Sequence, residues 1–184
     1  REHGATLDVG DRLQLVREIA EILQYAHSKQ LYHRALAPQS VLVRGVGTRQ
    51  LAVQLMNWQT AARNAGTAET LFHTTGTLHV DAYVDDPNLV YLAPETTRAD
   101  PAHGAELDVF SLGCLAYLIF GGQAPASSTL EMLDKLRTGQ GLRLSDVMNG
   151  CGTRLQDLVQ FATNPEVLTR YGSIRDFLKD LEGV

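Results

Sequence analysis

A mainly α domain, an α+β fold with a small β-hairpin beside a buried central helix, is what this chain of 184 residues predicts. Three observations point there: an amphipathic stripe over residues 11–27, two short β-branched runs near residues 40–56, and a stretch at 107–120 that is apolar on nearly every side.

The first element is "DRLQLVREIAEILQYAH", where Leu15, Ile19, Ile22 and Ala26 recur at helical spacing while Val16 and Leu23 widen the stripe. This predicts a helix with one face on a core. "SVLV" and "LAVQLM" follow as strands, and "RGVGTRQ" between them supplies two glycines for a turn, so a hairpin is expected. Residues 59–90 lack sustained periodicity and read as one long loop, with Gly66, Gly76 and Pro87 as breakers. "LDVFSLGCLAYLIF" is too short to span a bilayer and reads as the central helix, stopped by Gly121 and Gly122. "STLEMLDKLRTG" predicts a helix with a Ser or Thr cap and a closing Gly. "TRLQDLVQFAT" and "SIRDFLKDL" give two more amphipathic pieces.

The composition narrows the function classes. Apolar residues make up 44% and charged residues 20%, the balance of an ordinary globular domain, and a net charge of −5 supplies no broad basic surface for nucleic acid. Cys114 and Cys151 have no CxxC spacing and read as reduced packing residues. "REHGATLDVGDR" lacks the apolar core of a signal peptide, which predicts a cytoplasmic location, and the opening Arg1 in place of an initiator Met predicts a piece of a longer protein. His27, His73, His79 and His103 are scattered and read as solvated loop and helix-end residues.

Five fragments carry chemistry in order: His33-Arg34 in "LYHRALAPQSVLV", "NWQTA" at 57–61, "YLAPE" at 91–95, "DVFSLG" at 108–113, and Arg170. Together they resemble the large C-terminal lobe of a eukaryotic-type protein kinase, over almost the whole of 1–184. In that family the catalytic loop reads H-R-D-L-K-P-x-N, the metal loop D-F-G, and the activation segment ends in A-P-E.

The resemblance implies that Ala35 stands at the position of the Asp that orients the substrate hydroxyl, Ala37 at that of the loop Lys, and Ser40 at that of the metal-holding Asn. Asn57, Trp58 and Gln59 stand where D-F-G would be, and Asn88 in "PNLVY" replaces the Thr that precedes A-P-E. The scaffold positions are retained. Glu95 and Arg170 are implied to form a buried ion pair, Asp108 to accept hydrogen bonds from the catalytic-loop backbone, Trp58 to rest against His33, and Leu42 to floor an adenine site. Arg34 is implied to face a phosphorylated residue, with Thr67, Thr70, Thr74, Thr75 and Thr77 as acceptors, although a plain surface Arg is the simpler reading. Asp85 and Asp86 read as a solvated turn.

The expectation is therefore a pseudokinase lobe without the N-terminal lobe that grips ATP, acting as a regulatory or interaction module. "HRALAPQSVLV" with "NWQTAAR" is similar to kinase-like regions of large bacterial proteins associated with phage defence. No cofactor and no metal is expected. The expected partner is another protein or other domains of the parent chain, with neither nucleic acid nor membrane. The alternatives are a divergent phosphotransferase using ATP and magnesium, or a nucleotide sensor without turnover.

Overall fold

The computed structural model describes residues 7–45, 51–58, 62–63, 87–97 and 104–184. Its framework is a stack of helices against one apolar helix. The first helix, α1 (Val9–Ser28), starts at Asp8, whose carboxylate accepts from the Asp11 amide, and buries Leu15, Val16, Ile19, Ala20, Leu23 and Ala26. That buried set is the stripe of the sequence pattern, and it packs on α2 (Gly104–Gly121).

Helix α2 has little amphipathicity because it is enclosed on all sides, with Val109, Phe110, Leu112, Cys114 and Ala116 fully buried. At 18 residues it is longer than the apolar run predicted and, contrary to that expectation, long and apolar enough by composition to cross a bilayer; its reading as a buried central helix rests instead on burial, with 72% of it inside the lobe. Gly113 marks its closest approach to a neighbour: a Cβ there would come within 2.7 Å of the Ala162 Cβ. Helix α3 (Thr129–Gly139) is capped by Ser128, α4 (Thr153–Ala162) packs on α2, and α5 (Ile174–Leu181), capped by Ser173, packs on α1 and α4.

The hairpin is antiparallel, β2 (Val41–Arg44) against β3 (Ala52–Leu55), with Leu42 opposite Gln54 and Arg44 opposite Ala52. Three expectations need correction. A second two-stranded sheet pairs β1 (Leu31–Tyr32) with β4 (Ala62–Arg63), inside the stretch expected to be one continuous loop. Strands of two residues are too short for alternation to show in a sequence. Gly121 belongs to α2, and the left-handed stop is Gly122, at φ 75°. Helix α3 is closed by Gln140 in the left-handed conformation, φ 51°, rather than by a glycine.

Candidate functional site at the catalytic-loop position

The stretch from His33 to Ser40 joins β1 to β2, and its backbone is held from below by Asp108 of α2. The carboxylate accepts the His33 amide on Oδ2 at 2.8 Å and the Arg34 amide on Oδ1 at 2.6 Å. Arg34 sits at φ 65°, in the left-handed region that non-glycine residues rarely enter, at a cost of roughly 1–3 kcal/mol. Two charge-assisted hydrogen bonds to a fully buried carboxylate offset that strain.

A third donor completes the clamp. His27, at the end of α1, places Nε2 2.8 Å from Asp108 Oδ2 and its ring 4.8 Å from that of Tyr32. Because a carboxylate oxygen only accepts, Nε2 carries the proton. The expectation of a solvated helix-end histidine is thus wrong, and the sequence held a signal: His27 lies four residues beyond Leu23, on the same buried stripe.

The upper side of the loop is fastened to the segment after β3. His33 is fully buried, donates from Nε2 to the Met56 carbonyl at 2.8 Å, and lies 4.8 Å from the Trp58 ring. Trp58 donates its indole N–H to the Leu55 carbonyl, and the Met56 amide donates to the Ser40 carbonyl at 2.8 Å. Leu36, Ala37 and Ser40 are buried, while Ala35 is only partly covered.

Neutral amides gather at the mouth of this loop. Asn57, at φ 62°, donates from Nδ2 to the Gln39 carbonyl at 3.5 Å, a long contact, and Asn88 donates from Nδ2 to the Gln39 side-chain oxygen at 3.1 Å. Gln59, Asp85, Asp86, His73, His79, His103 and the five threonines named above lie outside the described residues. Arg34 keeps a buried Nε with no partner among the described residues.

On the far side of α2, Glu95 meets Arg170. The guanidinium binds the carboxylate through two nitrogens, at 2.6 and 3.2 Å, with side-chain exposures of 0% for Arg170 and 7% for Glu95. It also donates to the carbonyls of Glu106 and Asn164 and stands 5.0 Å over the Phe110 ring. Ser111 and Cys114 tie α2 to the carbonyls of Tyr91 and Val90, and burial pushes the Cys114 thiol well above its ordinary range. Leu42 lies on the outward face of the hairpin, in a cleft of about 280 Å³ shared with Arg44, Ala52, Val53 and Gln54.

This arrangement of loop, clamp and ion pair agrees with a sequence match: residues 2–174 fit the family model of the protein kinase domain. The chain belongs to the protein kinase family. Among curated relatives, all of this chain aligns with the probable kinase PglW of Streptomyces coelicolor at 38% identity, covering 13% of that protein. It aligns over 96% of its length with the probable serine/threonine-protein kinase PknB of Lactococcus lactis at 25% identity, and over 77% with the serine/threonine-protein kinase fused of Drosophila melanogaster at 30% identity. These matches cover 26% and 16% of those two kinases, so the chain spans a small part of each relative.

Proposed function

We propose that this kinase-family lobe is catalytically silent and serves as a regulatory or protein-interaction module of a larger protein. One observation carries the reading: the loop backbone is held by a buried carboxylate, yet Ala35, between the clamped Arg34 and the buried Leu36, offers only a methyl group. A methyl group neither orients a hydroxyl nor accepts its proton.

Among the described residues the donor set at the loop does not fit a magnesium ion. Magnesium favours anionic oxygen at near-octahedral geometry, whereas Asn57 supplies a neutral amide and Ser40 is buried beneath the loop. Phosphoryl transfer rests on metals and positioning, so a site lacking both carboxylates loses most of its means of stabilising charge.

A second reading, ATP binding without turnover, is favoured by the cleft beside Leu42, which offers a partly apolar floor to an aromatic base. Thermal shift of the intact protein with ATP, with and without Mg²⁺, separates the two. The module reading expects no shift above that given by an unrelated anion. A magnesium-independent, saturable shift would favour the sensor, and a magnesium-dependent shift accompanied by turnover would refute silence.

A further inference from the structure

The turn that leads into α4 carries an Asn-Gly pair, Asn149-Gly150. Met148–Cys151 form a β-turn closed by the Cys151 amide on the Met148 carbonyl at 3.3 Å, a long bond. Gly150 holds the third position of that turn at φ 74°, in the left-handed region that a residue without a side chain enters freely. Asn149 and Gly150 are both exposed, and a Cβ built on Gly150 would meet nothing within 4 Å. Neither the Asn149 side-chain amide nor the Gly150 N–H makes a hydrogen bond with any described residue.

These observations bear on one reaction. The nitrogen that follows an asparagine can close a five-membered ring on the side-chain carbonyl carbon when the two are free to approach. A side chain on the following residue hinders that approach, and a hydrogen bond on either partner holds them apart. At Asn149 both restraints are missing. The other described asparagines keep at least one. Asn164 accepts the Glu166 amide on Oδ1 at 2.9 Å and precedes Pro165, which has no N–H. Asn88 and Asn57 each donate to Gln39 and precede Leu89 and Trp58.

We propose that Asn149 is a site of spontaneous deamidation, with Gly150 as the attacking residue and water as the co-reactant. The Gly150 nitrogen gives up its proton to hydroxide and bonds to Asn149 Cγ; the Cγ–Nδ2 bond breaks, and ammonia leaves from a cyclic imide. Water then opens the ring. Attack at Cγ gives aspartate, and attack at the main-chain carbonyl carbon gives isoaspartate, with the backbone rerouted through Cβ and Cγ. One water is consumed and one ammonia released, with no oxidation. Either product adds a negative charge to the chain's net −5. The new carboxylate lies just ahead of α4, whose cap Gly152 offers no side-chain hydrogen bond, and the isoaspartyl product lengthens a segment whose Val147 packs against Gly121 of α2. The change is one-way and falls on the joint between α2 and α4. It is independent of the reading of the lobe as catalytically silent, and neither outcome with ATP bears on it.

The test is incubation of the intact chain in heavy-oxygen water at mildly alkaline and mildly acidic pH, with its peptides followed by mass spectrometry and the isoaspartyl product counted by an isoaspartyl methyltransferase. Conversion should be confined to the peptide carrying Asn149, with one labelled oxygen taken up, and should run at least about tenfold faster than at Asn57, Asn88 or Asn164. It should be faster at the alkaline pH, since the attacking N–H must lose its proton. Asn149→Gln should abolish it with Tm unchanged, because the longer side chain has to close a six-membered ring. In the urea-unfolded chain the rate at Asn149 should rise by no more than about tenfold, as the folded turn leaves both partners free. Stronger protection in the folded chain, equal conversion at Asn164, or label uptake that persists in Asn149→Gln would each overturn the proposal.

Discussion

Two sides of one loop differ in kind. Beneath residues 33–40 a buried carboxylate carries the contacts: Asp108 holds the amides of His33 and Arg34 with His27 as a third donor, and on the far side of the same helix Glu95 pairs with Arg170. At the mouth the groups that meet among the described residues are uncharged: the methyl of Ala35 and the amides of Gln39, Asn57 and Asn88. Buried charge is costly to keep unless its partners stay in place, whereas a neutral mouth has little stake in the fold. The comparison teaches that the forces shaping a catalytic loop are separable from those that would perform its chemistry.

Removing a partner from the lower side should do the most damage. Arg170→Met leaves Glu95 buried and unpaired, for an expected loss of about 3–5 kcal/mol. Tm should fall on the order of 10 °C in thermal unfolding. Replacing Glu95 as well with Leu should recover much of it. A double variant as unstable as the single one would show that packing rather than charge dominates there.

Asp108→Ala comes next. It strands two backbone amides and the His27 ring, for an expected loss of about 2–4 kcal/mol. Hydrogen exchange at the His33 and Arg34 amides should quicken more than at the core of α1. Equal protection of those two amides in Asp108→Ala and in the unaltered chain would place the clamp elsewhere.

A smaller effect appears at alkaline pH. Burial, assisted by Cys114, pushes the Tyr91 hydroxyl up to about 12. The folded state thus holds that proton more tightly than the unfolded state, whose tyrosine titrates near 10. The corresponding stability is fully present below pH 10 and is lost as pH rises from about 10 to 12. Tyr91→Phe should flatten that part of the unfolding profile.

At the mouth, Ala35→Asp should change stability by no more than about 0.5 kcal/mol, because Ala35 is partly exposed and its side chain takes no part in the clamp. A loss comparable to that of Asp108→Ala would mean that the mouth is as integral to the fold as the floor.

What was legible in the sequence followed from periodicity and spacing. The stripe of α1, the β-branched runs of the hairpin and the all-round apolarity of α2 each put a physical requirement into neighbouring residues. The pairing of Leu31–Tyr32 with Ala62–Arg63 did not, since two residues per strand carry no pattern and the partners are far apart in the chain. The candidate site was legible as far as its motif residues reach. The role of His27 was missed because its partner lies 81 residues away and its own place on the buried stripe was outweighed by its polarity. Gln39, which meets Asn57 through its backbone carbonyl and Asn88 through its side-chain oxygen, carried no signal at all in one dimension.

Phosphotransfer from γ-labelled ATP in the presence of Mg²⁺, measured on the intact protein that contains this lobe, tests the central claim most directly. The account predicts no transfer above the enzyme-free rate, either to the protein itself or to a general Ser/Thr substrate. Transfer that requires magnesium and disappears in Asn57→Ala would contradict it.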